Sequence, residues 1–135
     1  MNKKIVIFLF LAILSLTFLS SCHYHTPSLD LATVTEIELL IQETFPVQIN
    51  VVAKGYLPNP CTHIEQITQR RDGNNFFITI KTKTIQGICI EVITPFTETI
   101  PLAVYGLPKG IYHIEVNGIK GTFTMDVDNI LLENS

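Results

Sequence analysis

The sequence predicts an all-β fold: an antiparallel, immunoglobulin-like β-sandwich of about seven or eight strands, with a small β-barrel as second choice. Short segments that alternate apolar and polar side chains follow one another between turn residues. Beyond the N-terminus no segment keeps a helical period. The chain has 135 residues, the length of one domain. Because an alternating strand buries one face and wets the other, two packed antiparallel sheets are favoured.

The N-terminus is built differently from the rest of the chain. Lys3 and Lys4 precede an unbroken apolar run over residues 5–14. A short basic stretch before an apolar run of this length is typical of a secretory signal peptide. A plain transmembrane anchor is the alternative, although the run is short for a span of about 20 residues. The sequence therefore predicts export.

Residues 19–22 read Leu-Ser-Ser-Cys, which resembles the lipobox of bacterial lipoproteins. The resemblance implies a signal peptide over 1–21, cleavage before Cys22, and acyl chains on the Cys22 thiol and its new amino terminus. Two or three acyl chains anchor a protein far more firmly than one. His23, rather than Asp, follows the cysteine, which by the same resemblance favours the outer membrane of a Gram-negative cell. The implied location is the cell envelope, with the membrane as first partner.

The cysteine count fits an exported protein. Of three cysteines, Cys61 and Cys89 remain when the lipidated one is set aside. An even remainder in an exported chain predicts one disulfide, and two buried free thiols are the alternative. A bridge between positions this far apart would contribute roughly 3–4 kcal/mol by chain entropy.

The first half of the domain is predicted as four strands. A tether over 22–32 precedes a domain over 33–135, and the strands are expected at 33–43, 47–54, 61–70 and 75–84. Phe45-Pro46 ends the first strand, and the prolines of 55–60 make that segment a loop. Irregular alternation in the third strand predicts a bulge, and the Asp-Gly-Asn sequence at 72–74 predicts a hairpin turn.

The second half is predicted as four shorter strands. The fifth is expected at 89–93, with residues 94–96 as an interruption. The sixth is expected to point Ile100, Leu102 and Val104 inward, before a turn over 106–110.

The last two strands form the best-determined hairpin. Asn117-Gly118 fits a two-residue type I′ turn, which needs positive φ at both positions. This turn fixes the pairs Val116–Ile119, Glu115–Lys120, Ile114–Gly121 and Tyr112–Phe123. The apolar members then share one face, which Met125 and Val127 are expected to continue, and a slip of one residue would turn that face to solvent.

The closing segment also carries a resemblance. Residues 106–112 read Gly-Leu-Pro-Lys-Gly-Ile-Tyr, followed by Val116-Asn117-Gly118 and Phe123. This pattern resembles the closing hairpin of small exported β-sandwich domains in bacterial lipoproteins. The resemblance implies the fold and carries no activity with it.

Two loops are the candidate binding sites, the first over 56–60 and the second over 105–109. Each pairs an aromatic residue with Leu-Pro, and a proline-stiffened loop loses little entropy when a partner orders it. The candidate residues are Tyr56, Leu57, Pro58, Asn59, Tyr105, Leu107 and Pro108. The alternative is that the Tyr and Leu side chains cap the core. We expect a non-catalytic binding or structural module whose partner is a protein or an envelope polymer.

No catalytic residues, metal site or cofactor are predicted. Nucleophile elbows, phosphate loops and metalloprotease motifs are missing from the sequence. Asp126 and Asp128 project from one face of a strand, and with Asn129 they could contribute to a calcium site. Calcium takes 6–8 oxygen ligands, so a solubilising strand end is the preferred interpretation.

Charge and motifs limit the remaining functions. Nine basic residues against twelve acidic ones give a net charge of −3, which argues against nucleic-acid binding. Chagasin-like protease inhibitors, immunoglobulin-like sandwiches of similar size, are the alternative function. Their loop reads Asn-Pro-Thr-Thr-Gly, whereas here Asn59-Pro60 is followed by Cys61-Thr62. An envelope hydrolase ranks lower.

Overall fold

The computed structural model describes residues 2–5 and 29–132, and its strands form two sheets. The eight strands of this part are β1 (Asp30–Leu31), β2 (Thr33–Gln42), β3 (Gln48–Leu57), β4 (Thr62–Asp72), β5 (Asn75–Thr84), β6 (Thr94–Pro101), β7 (Gly110–Val116) and β8 (Ile119–Met125). The predicted all-β sandwich is confirmed. Cys22 and almost all of the predicted signal peptide lie outside the described residues. Within the described ranges, no helix is long and apolar enough to cross a bilayer.

The three-stranded sheet has the order β2-β3-β6, and β5 organises the five-stranded sheet. One edge of β5 pairs with β4 along its whole length, antiparallel. The other edge is shared end to end: β7 runs parallel to residues 75–78, and β1 runs antiparallel to Lys81 and Thr82. The parallel pair departs from the antiparallel prediction. It arises because the chain passes through β6 in the other sheet between β5 and β7.

The core lies between the two sheets and includes a cluster of three aromatic rings. The centroids of Tyr112 and Phe123 are 5.3 Å apart, and Phe76 lies 6.2 Å from Tyr112 and 5.9 Å from Phe123. All three side chains are buried. The Tyr112 hydroxyl donates a 2.8 Å hydrogen bond to the Pro108 carbonyl, so the ring is buried with its polar group hydrogen-bonded.

The predicted type I′ hairpin is confirmed. Asn117 and Gly118 have φ of 45° and 94°, and all four predicted pairs occur in the β7–β8 register. Val127 does not continue the buried face, because β8 ends at Met125 and the Val127 side chain is 53% exposed.

The predicted bulge in the third strand is confirmed by a register shift between Ile64 and Gln66. The predicted turn joins β4 to β5 through Gly73, whose φ is 57°. Gly55, expected in a loop, lies within β3 instead. A Cβ there would overlap the Thr33 carbonyl of β2, so the close approach of the two strands requires glycine.

The prediction around the fifth strand is wrong. Residues 89–93 form no strand, and the predicted interruption at 94–96 begins β6. Pro95 and Pro101 fit because β6 is an edge strand, where a missing donor can face away from the sheet. Leu102 and Val104 lie beyond the end of β6 but are buried as expected.

Candidate functional site

The two candidate loops lie at opposite ends of the sandwich. In the β3–β6 register, Leu57 pairs with Thr94 at the start of β6, and Asn50 pairs with Pro101 at its end. The seven residue steps from Asn50 to Leu57 correspond to about 23 Å of strand. The first candidate loop follows Leu57 and the second follows Pro101, so they do not form one surface.

We call the end with the first candidate loop the disulfide end. Cys61, just before β4, is bonded to Cys89, with Cα atoms 6.1 Å apart. The predicted pairing is therefore present. The Ile85 N–H also donates to the Cys61 carbonyl over 3.0 Å. These two links hold residues 85–93, which we call the disulfide loop, against the start of β4.

The disulfide loop exposes a series of aliphatic side chains. The exposed fractions are 61% for Ile85, 68% for Ile90, 53% for Val92 and 64% for Ile93, and Ile88 is fully exposed. Contiguous exposed apolar surface on a small domain commonly marks a contact site. The alternation in the sequence predicts a half-buried strand here, so the pattern alone does not indicate this exposed surface.

The first candidate loop is partly built into the fold. Leu57 is buried and belongs to the core, whereas Tyr56 and Pro58 are exposed. The Asn59 side-chain oxygen accepts hydrogen bonds from the Cys61 N–H at 3.1 Å and the Thr62 hydroxyl at 3.0 Å. Asn59 thus orders the turn into β4, and the exposed part of this loop is small.

We call the opposite end the Asn129 end, since a fully buried asparagine organises it. The Asn129 side-chain oxygen accepts from the Val47 N–H at 2.7 Å. Its amide donates to the carbonyls of Val47, at 2.9 Å, and Val104, at 3.0 Å. Its own N–H donates to the Leu107 carbonyl at 2.8 Å, and its carbonyl accepts from Gly106. Asn129 therefore fastens the residue before β3, the segment after β6 and the second candidate loop together.

Backbone hydrogen bonds engage two of the three residues that the sequence offers as a calcium site. The Asn129 side-chain oxygen accepts from the Val47 N–H, and the Asp128 carboxylate accepts from the Lys109 N–H at 2.7 Å. Asp126 is exposed. No group of three or more His, Cys, Asp or Glu side chains suited to a metal occurs in the part of the chain that is described.

Like the first, the second candidate loop has a buried leucine and exposed neighbours. Leu107 is buried, and the carbonyl of the exposed Pro108 accepts from Tyr112. Tyr105 is 64% exposed. It borders a cavity of about 330 Å³ lined by residues 46–50 and 101–105. The candidate contact surface here is Tyr105 with the rim of that cavity.

A larger cleft of about 610 Å³ lies over β5, β7 and β8. Its polar side chains pair with one another: His113 with the Thr122 hydroxyl at 3.3 Å, and Glu115 with Lys120 at 4.0 Å. These are cross-strand pairs of a solvated sheet face.

Charged side chains at the base of the disulfide end form a small surface network. The Glu65 carboxylate lies 3.1 Å from His63 Nε2 and 3.5 Å from Lys83 Nζ. The hydrogen bond from His63 and, second, the charge of Lys83 hold the pKa of Glu65 below its usual value. All three side chains are solvent-accessible, so this network neutralises the strand surface without enclosing a site.

Comparison with known proteins assigns the domain. Residues 51–125 match the family model of the ORF11 beta-sandwich domain. The chain is 29% identical over 87 residues to an uncharacterized 10.2 kDa protein in the HgiCIIM 5′ region of Herpetosiphon aurantiacus, covering 64% of this chain and 92% of that protein. No solved structure matches. The matched range runs from β3 to the end of β8 and includes both disulfide cysteines. Since more than half of the chain matches, the protein belongs to the ORF11 β-sandwich domain family.

Proposed function

We propose that the protein is a lipid-anchored lipoprotein of the bacterial cell envelope whose β-sandwich acts as a non-catalytic binding or structural module. The observation that carries the proposal is the Leu-Ser-Ser-Cys sequence at 19–22, directly after a basic and apolar leader. The Cys61–Cys89 bridge supports it, because disulfides persist in exported proteins and are rare in the cytosol. Outer-membrane placement in a Gram-negative cell rests on His23.

The described side chains support a non-catalytic role. The acid–base groups that lie close together are paired across exposed strands, as Glu65 with Lys83 and Glu115 with Lys120. The matching family is described only as a β-sandwich domain. The exposed residues Tyr56, Pro58 and Tyr105 remain the candidate contacts for a protein or an envelope polymer. Activity assays are therefore less informative than a test of anchoring.

The test is metabolic labelling with a palmitate analogue in a bacterial host. The wild-type chain should incorporate label, and Cys22→Ala should not, because the acylated thiol is gone. A Cys61→Ala/Cys89→Ala double variant is the matched control: it removes the other two thiols and should still be labelled. Globomycin, which blocks lipoprotein signal cleavage, should leave the wild-type leader attached. Labelling of Cys22→Ala at the wild-type level would end the proposal.

A further inference from the structure

We propose that the disulfide loop, residues 85–93, is a membrane-contact site. It would rest on the same bilayer that holds the Cys22 anchor, so that the domain docks with its disulfide end toward the lipid. This inference rests on the proposed lipidation of Cys22 and adds an orientation and a second point of contact to it.

The chemistry of the loop fits a lipid surface. Five of its nine residues are aliphatic and more than half exposed. Glu91 is its one charged residue, read from the sequence. A charge is costly in hydrocarbon, whereas aliphatic side chains gain free energy there as water is released. The loop therefore suits shallow insertion at the headgroup boundary, with Glu91 kept on the aqueous side.

The strand register brings the tether to the same end. Asp30 pairs with Thr82 and Leu31 with Lys81, antiparallel. Moving from Leu31 back toward the N-terminus therefore means moving forward along β5, toward Ile85. The Thr82 hydroxyl donates to the Asp30 carbonyl at 3.2 Å, which fixes this approach. The chain that leads to Cys22 thus leaves the sandwich beside the disulfide loop.

The length of the tether limits how the domain can turn relative to the bilayer. From Cys22 to Leu29 there are seven residue steps, and a fully extended chain covers about 25 Å in that length. The sandwich itself has about 23 Å of β3 strand between its two ends. Only an almost fully extended tether could pass the whole sandwich and let the Asn129 end reach the bilayer, so we expect the disulfide end to remain nearer to the lipid.

The disulfide makes the loop ready for contact. Cys89 lies in the middle of the loop and is bonded to Cys61, and Ile85 is hydrogen-bonded to the same cysteine. A loop held in this way loses less entropy on binding than a free one. Lys83 at its base is engaged by Glu65, so attraction to anionic headgroups is not the driving force. Contact should therefore occur on zwitterionic phosphatidylcholine, which has no net charge, and persist in salt.

The absence of tryptophan from the chain permits a direct test. Full-length Ile88→Trp protein, carrying its acyl anchor, is reconstituted into phosphatidylcholine vesicles with or without bromine on the acyl chains. Leu131→Trp, at an exposed position near the Asn129 end, is the matched control. Ile88→Trp should emit at shorter wavelength and lose most of its emission to the bromolipid, and Leu131→Trp should do neither.

The quenching pattern of the two variants tests the contact. Quenching of Ile88→Trp alone supports it, whereas quenching of both variants, of Leu131→Trp alone or of neither overturns it. A blue shift that grows with protein density and is not quenched by bromolipid would also overturn it, in favour of pairing between two copies. Ile90→Trp repeats the test if Ile88→Trp does not fold. Mass analysis and vesicle flotation separate the two proposals: an unlipidated chain that does not float contradicts the anchor, whereas a floating, unquenched Ile88→Trp contradicts only the loop contact.

Discussion

The two ends of the sandwich are held together by different means. At the Asn129 end, a buried side chain makes three hydrogen bonds to backbone groups of two segments. Gln69 of β4 adds two more across the sheets, accepting from the Ala103 N–H at 2.9 Å and donating to the Pro101 carbonyl at 3.2 Å. At the disulfide end, a covalent bond fixes a loop whose aliphatic side chains remain in solvent.

The two ends therefore differ in whether their side chains hold the fold together or are free to contact a partner. The polar side chains that organise the Asn129 end are hydrogen-bonded within the fold, so substitutions there should lower the free energy of unfolding. The disulfide loop is fixed in place without being buried, so its side chains can change with little loss of stability and a large effect on contact. Substitutions at the two ends should therefore differ in what they change.

Removing the disulfide should cause the largest loss of stability. Cys61→Ala/Cys89→Ala releases a closed loop of 28 positions, which chain entropy values at roughly 3–4 kcal/mol. Urea unfolding should show this loss, and proteases should cut residues 85–93 before the rest of the domain. Equal stability with and without the bridge would contradict its role at this end.

Asn129→Ala should cost about 3 kcal/mol, since backbone groups of the half-buried Val47 and the buried Val104 would lose their partners, at about 1–3 kcal/mol for each buried group. Asn129→Asp is the matched variant: it keeps the acceptor for the Val47 N–H and loses both donors. Asp128→Ala is the exposed control and should lose less than either. A loss below about 1 kcal/mol for Asn129→Ala would show that the network is not what holds this end.

Asn117→Gly distinguishes the role of Asn117 in the turn from the role of its side-chain hydrogen bonds. The Asn117 side chain accepts from the Ile80 N–H at 2.9 Å and donates to the carbonyls of Ala32, at 2.8 Å, and Ile80, at 2.9 Å. Glycine keeps the positive φ but loses these bonds, so about 2 kcal/mol of stability should be lost. Hydrogen exchange should quicken at the amide of Ile80 and in β1. Unchanged exchange there would contradict the bridge.

Gly118→Val tests the turn itself and should cost at least about 1 kcal/mol, because a β-branched residue resists positive φ. Apart from the residue itself and its two chain neighbours, no heavy atom lies within 4 Å of the position that a Cβ would occupy, so the substitution measures backbone strain. The thermal midpoint reports the effect. An unchanged midpoint would be at odds with the observed type I′ turn.

Glu65→Gln should have the smallest effect, visible as a change in pH dependence. The hydrogen bond from His63 and the charge of Lys83 lower the pKa of Glu65 in the folded state. Its stabilisation is therefore present above the ordinary glutamate pKa of about 4.3 and is lost as the pH falls through the lower, folded-state pKa. Wild-type and Glu65→Gln urea midpoints should differ slightly at neutral pH and converge in acid. A difference that grows in acid would give the wrong sign.

The features that could be predicted from the sequence are those set by residues close together in the chain. The type I′ turn and its register follow from Asn117-Gly118 and the alternation beside it, and the disulfide follows from cysteine parity. The sheet class follows from single-face alternation. The roles of Asn117 and Asn129 as bridges could not be predicted, because each depends on which distant carbonyls the topology brings within reach.

The wrong prediction of a fifth strand also arises from dependence on distant parts of the chain. Residues 89–93 alternate like a strand, and Pro95 looks like a break. Whether such a segment finds a neighbour to pair with is decided by the whole sheet: β6 takes the edge beside β3, and the disulfide loop is left out. The candidate site at the disulfide end became visible only once the exposure of those side chains was known.

The most direct test of the difference between the two ends is hydrogen exchange of the lipid-anchored protein on phosphatidylcholine vesicles. Exchange is measured before and after the domain is released by cleavage at a protease site placed in the tether over 23–28. The orientation proposed above predicts that residues 85–93 are protected on the vesicle and lose that protection on release, while residues 44–48 and 101–109 exchange alike in both states. Equal exchange of 85–93 in both states, or protection gained at the Asn129 end instead, would contradict it.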